Sequence, residues 1–116
     1  MKIPRKIQVG NIEHRIKYKF PMRCQGYLDL ITNKIYLHRY LKKQKRLGEV
    51  AFFHEITHSL VEQMSEHYPQ LMICGRDEQF ITMLAYHFRL LFHQINNNQP
   101  ILKNEKTKEK PKEDVK

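Results

Sequence analysis

The apolar residues of this chain change period part-way along, and that change admits few architectures. Up to about residue 40 they alternate. Ile3, Ile7 and Val9 share one parity, and after Gly10-Asn11 the even positions Ile12, Ile16, Tyr18 and Phe20 alternate with Glu13, Arg15, Lys17 and Lys19. Period two marks strands with one buried face, and Gly-Asn between two such runs predicts a hairpin turn. Pro21 ends the second strand. A second pair is expected over 27–31 and 34–38, joined across Thr32-Asn33. From about Lys43 the period lengthens: Leu47, Val50/Ala51, His54, His58 and Val61 recur at helical spacing, and Phe53, Thr57 and Leu60 widen the face. This helix is expected to reach His67, ahead of Pro69. A loop over 68–76, ended by Gly75, leads to a second helix from Asp77 to about Asn96. Its expected buried stripe is Ile81, Leu84, Phe88, Leu91 and Ile95, and Asn96-Asn97-Asn98 with Pro100 supplies its stop. Strands first and helices after describe an α+β fold, with about four mostly antiparallel strands at the N-terminus.

The 116 residues suit one domain, placed at 1–99. The remainder, 100–116, has only Ile101, Leu102 and Val115 as sizeable apolar residues and is expected to be a charged, disordered tail. No apolar run approaches the ~18–20 residues of a membrane span. No apolar stretch follows Met1, so no export signal is expected. Cys24 and Cys74 form no CxxC pair and no disulfide framework, which makes the cytoplasm the expected location. The net charge of +9 is uneven: residues 1–46 hold thirteen Lys/Arg against Glu13 and Asp29, whereas 47–99 hold two Arg against six acids. A basic half of this kind serves solubility, or else contacts nucleic acid or an acidic partner.

The segment His54-Glu55-Ile56-Thr57-His58 carries the chemistry. Histidines at i and i+4 lie one turn apart and about 40° apart in rotation, so both imidazoles reach one ion. A glutamate directly after the first histidine projects beside that ion, where it can take a proton from a metal-activated water. Five residues thus offer two ligands and a general base. A catalytic zinc needs a third protein ligand. A metzincin continuation would place Gly and His at 61 and 64, where Val61 and Met64 stand. His67 is too near the end of the same helix. The second helix is the better source: Glu78 lies in its first turn, where the helix dipole favours a carboxylate. Asp77 falls nearer the centre of the apolar stripe and is the alternative ligand, unless it caps the helix amides.

HEITH, followed by a helix with Glu78, Ile81, Leu84 and Ala85 in an E-x-x-apolar-x-x-apolar-Ala pattern, resembles the zincin-type metallopeptidases. It is most similar to the small ImmA/IrrE-like proteins of phages and prophages. The strand-rich start, the hairpin GYLDLITNKIYLH and a helix beginning near QKRLGEVAFFHEITH extend the likeness over roughly residues 5–95. The resemblance implies a zincin-like fold, a Zn²⁺ on His54, His58 and Glu78, Glu55 as catalytic base, and a peptide or protein substrate. It also implies a phage or prophage origin, and hence a host cytoplasm. Ser59 stands where other members often have Ala, and it reads as a harmless small residue.

Amide hydrolysis also needs a donor for the developing oxyanion. Tyr68, Tyr86, His87 and His93 are candidates, and Arg89, three turns beyond Glu78, is a candidate for orienting a ligand carboxylate. A second reading makes the chain a non-catalytic binding module, with a structural zinc and its basic strands on nucleic acid or a partner protein. Glu55 separates the two, because a structural site has no use for it.

Overall fold

The computed structural model describes residues 1–70, Met72 and 77–105, with only the backbone course for 98–105. The expected loop at 68–76 therefore lies largely outside the described residues, as does the tail beyond residue 105. Four strands come first: β1 (Lys6–Val9), β2 (Ile12–Lys19), β3 (Gly26–Asp29) and β4 (Lys34–His38). A 3₁₀ turn, Arg39–Lys43, leads into α1 (Lys45–Ser65), and α2 (Glu78–Glu105) closes the described chain. The arrangement is α+β, as the change of period predicts.

Gly10 adopts φ +59° at the tip of the β1–β2 hairpin, a left-handed conformation that costs glycine little. The sheet order is β1-β2-β4-β3. β1–β2 and β3–β4 pair antiparallel, so the sheet is mostly antiparallel as expected, while β2 and β4 run parallel. After Pro21 the chain crosses past the position beside β2 and forms β3 at the far edge. β4 then returns into the gap. The reason lies in β4 itself: Ile35 and Leu37 are fully buried, so the most apolar strand takes an interior place.

α1 lies across one face of the sheet, and α2 packs against α1 alone among the described elements. α1 is thus covered on two sides. Its buried residues include Ala51, Phe52, Phe53, Ile56, Thr57, Ser59 and Val61, which together span most of its circumference. The single stripe read from the sequence is therefore too narrow, and two of its members, Leu47 and Val50, are exposed. On α2 the buried line runs through Ile81, Ala85, Phe88 and Phe92. Leu91 and Ile95, expected inside, face out. α2 also continues past the expected stop near Asn96 to Glu105, through Pro100. Proline removes one intrahelical hydrogen bond there, and the following Ile-Leu-Lys run favours helix. The boundary at residue 99 is therefore not an element boundary. No helix among the described residues is long and apolar enough to cross a membrane.

Candidate metal centre

α1 presents His54 and His58 one turn apart, and the first turn of α2 brings Glu78 to them. His54 Nε2 lies 3.0 Å from Glu78 Oε1, and His58 Nε2 lies 3.1 Å from Glu78 Oε2. The two Nε2 atoms approach to 3.2 Å. All three residues offer a ligand atom within one small group, close enough to bind a metal ion. A tetrahedral ion with ligands at ~2.0–2.1 Å sets them about 3.3 Å apart. The observed spacings are close to that value. Two imidazole nitrogens facing each other beside a carboxylate make a poor closed hydrogen-bond set but a good ligand set. The donor set, two histidine nitrogens and a carboxylate oxygen, suits zinc.

Asp77 and Glu78 take different places at the start of α2. Asp77 Oδ1 accepts from the backbone N–H of Gln79 at 3.0 Å and of Phe80 at 3.2 Å, so it closes the start of α2. Glu78 is left free, with its side chain 66% exposed and aimed at the histidines. Burial holds His58 below its ordinary pKa, with the charge of His54 acting the same way, and Glu78 opposes both. His58 is accordingly neutral at pH 7, the form that ligates a metal.

Glu55 lies beside this group and is only 6% exposed. Burial, and secondarily the charge of Glu78, pushes its carboxyl up to about 7. A carboxyl with that value exchanges protons readily at neutral pH. The histidines, Glu55, Glu62 and Glu78 line an open cavity of about 310 Å³ together with Gly26, Tyr27, Leu28 and Leu30. β3 is an edge strand of the sheet, so the cavity runs along a strand edge that no other strand among the described residues pairs with. Gly26 sits tightly against β4: a Cβ there would meet the Tyr36 carbonyl at 3.0 Å and Leu37 Cδ2 at 3.1 Å, with Glu55 Cγ at an ordinary contact distance of 3.6 Å.

The expected accessory donors do not assemble here. Tyr68 and Tyr86 are exposed, and neither they nor His87 line the cavity. Arg89 and His93 instead turn to the other end of α1. There the Arg89 Nε–H donates to Glu49 Oε1 at 2.6 Å, and His93 Nε2 lies 2.5 Å from the same oxygen. The amino group of Met1 stands 3.6 Å from Glu49 Oε2. Burial alone would raise the Glu49 carboxyl, but hydrogen bonds from His93 and Arg89 outweigh it and hold it below its ordinary value.

Ser59 is not an incidental small residue. Its hydroxyl lies 2.7 Å from Nε2 of His14, which is fully buried on β2, and it accepts from Gln63 Nε2 at 3.0 Å. His14 Nδ1 lies 3.1 Å from the Asn33 carbonyl, which can only accept. Nδ1 therefore carries the proton and Ser59 donates to Nε2. Gln63 also donates to the Val9 carbonyl and accepts from the Asn11 N–H, joining α1 to the hairpin tip. This polar core fixes the helix that carries His54 and His58 on the sheet. Nothing in its sequence spacing announced it.

Searches of family models, of curated proteins and of solved structures return no match to this chain.

Proposed function

We propose that the chain is a zinc-dependent metallopeptidase of the zincin type, akin to the ImmA/IrrE-like proteins. The observation that carries this reading is the placement of Glu55. It is a buried carboxyl with a pKa near 7, directly beside a two-histidine, one-carboxylate group that opens on a cavity. A structural metal site would have no use for such a residue. His54, His58 and Glu78 would hold the ion. When bound, zinc would supply an acidified water and a polarised carbonyl. Glu55 takes a proton at its carboxylate and returns it to the leaving nitrogen. The unpaired edge of β3 favours an extended peptide over a compact small molecule, because a peptide can hydrogen-bond along it while its carbonyl faces the histidines.

The test is Glu55→Gln, which keeps the side-chain shape but cannot accept the proton. The variant should fold, retain zinc and lose about 10²–10⁴-fold in hydrolysis. New protein termini in cells expressing the wild type should be missing in cells expressing the variant. Identical termini in both would remove the peptidase reading and leave a structural zinc.

A further inference from the structure

The sheet has a second face, turned away from α1, and among the described residues no element packs on it. Alternation places Lys6 on β1, Arg15, Lys17 and Lys19 on β2, and Lys34 and Tyr36 on β4 on that side, with Tyr27 of β3 beside Tyr36. Their in-register order is unusual. Lys6 pairs with Arg15 and Arg15 with Lys34, so three cations stand side by side across three strands. Like charges directly opposite one another disfavour the sheet. Of the acids on this face, Glu13 sits opposite Gln8, and Asp29 stands opposite Lys34 while its carboxylate accepts from the N–H groups of Ile31 and Thr32. None of the five cations forms an ion pair among the described residues.

Aromatic rings continue the row. Tyr27 and Tyr36 stack at 4.9 Å and 25°, with Lys19 Nζ 5.1 Å from the Tyr36 centroid. Beyond the end of β2, Phe20 is 61% exposed and meets His38, which shares the parity of Lys34 and Tyr36 on β4, edge-on at 5.7 Å, with the Arg39 guanidinium 5.3 Å from its ring. Cations alternating with accessible rings on an open sheet fit a polyanion that carries planar groups. We propose that this face binds single-stranded nucleic acid, the cations taking phosphates and Phe20 and the tyrosine pair taking bases. A duplex fits poorly. Four strands span about 14 Å between outer strands, more than the ~12 Å major groove, and stacked bases offer no free faces to the rings.

The test is fluorescence anisotropy of the full chain with labelled dT12 and U12, a 12-base-pair duplex, and vesicles of phosphatidylserine with phosphatidylcholine, across a salt series. The single strands should bind best, with a slope of log affinity against log salt near −3, as four or five phosphate contacts require. Lys17→Glu with Lys34→Glu should weaken binding at least ~30-fold and flatten the slope. Phe20→Ala should cost ~10-fold with the slope unchanged. Arg15→Gln, which relieves the row of like charges, should raise the melting temperature while weakening binding, so a folding defect is not mistaken for lost contacts. Glu55→Gln should bind as the wild type does, which keeps this outcome separate from that of the peptidase reading. Absence of single-strand binding at 50 mM salt, equal or tighter binding to duplex or vesicles, or unchanged affinity in the charge variants would overturn the proposal.

Discussion

α1 and α2 are bridged twice by glutamate and histidine, and the two bridges behave as opposites. At one, Glu49 of α1 meets Arg89 and His93 of α2, and its side chain is 6% exposed. At the other, Glu78 of α2 meets His54 and His58 of α1, and its side chain is 66% exposed. The residue types are nearly the same. In the first cluster a guanidinium supplies positive charge from within the protein, and Arg89 and His93 both meet one oxygen of the carboxylate. In the second the partners are imidazoles, with His58 held neutral, and the group opens on a cavity. One bridge is a closed lock between helices. The other is an open group close enough to bind a metal ion. Because Glu49 and Glu78 lie on different helices, locking at the first bridge also sets where α2 presents Glu78.

The comparison breaks first at the metal. His54→Ala or His58→Ala should abolish zinc binding measured by mass spectrometry of the purified protein, and Glu78→Ala should weaken it strongly. Zinc at a hundred times its dissociation constant should stabilise the wild type by about 2.7 kcal/mol and leave His54→Ala unmoved. Zinc retained in full by Glu78→Ala would show that the open bridge is not the ligand set.

Next in size is the closed bridge. Glu49→Gln leaves Arg89 without its buried counter-charge and should cost about 3–5 kcal/mol in urea unfolding at pH 7. The sign with pH follows from the lowered Glu49 carboxyl. Its stabilisation is present above the ordinary carboxylate pKa and is lost as pH falls through the lower folded value. The gap between wild type and variant should therefore close below about pH 4. A gap that persists unchanged in acid would mean the lock is packing rather than charge.

Glu55 should behave in the reverse sense. Its carboxyl rises to about 7, so in metal-free protein the native state binds a proton that the unfolded chain has released between about pH 4.5 and 7. Stability then falls as pH rises through that window. With chelator present, Glu55→Gln should be more stable than wild type by about 3 kcal/mol at pH 8 and equal to it near pH 4.5. A destabilised variant at pH 8 would deny the buried charge.

The smallest effect belongs to the cap. Asp77→Ala should cost about 1 kcal/mol and loosen zinc only slightly, since Asp77 orders the turn that holds Glu78 without being a ligand. Loss of zinc on the scale of Glu78→Ala would reverse their roles.

Much of this was legible in the chain. Period two and then period 3.6 gave the strands and helices, because side-chain direction along a strand or helix is a local property. His54 and His58 were legible for the same reason: one helical turn suffices to bring them together. Choosing Glu78 over Asp77 required only that aspartate caps better. The parallel pairing of β2 with β4 was not legible, since strand order depends on which strand buries most. Leu47, Val50, Leu91 and Ile95 misled because α1 is covered from two sides and α2 from one, and a helical wheel does not know its neighbours.

The sequence by itself determined which residues can offer ligand and proton-accepting atoms and which segments are regular, because those follow from residue type and spacing within a few turns. The tertiary structure alone decided how distant residues combine. It sent Arg89 and His93 forty and forty-four residues back to Glu49 rather than to the cavity. It turned Ser59 into the buried partner of His14 across forty-five residues. It also laid β3 beside Glu55 and left the cationic side of the sheet without a packed element among the described residues. Such pairings depend on how whole elements pack, and packing is fixed by the summed burial of the chain rather than by any local pattern in it.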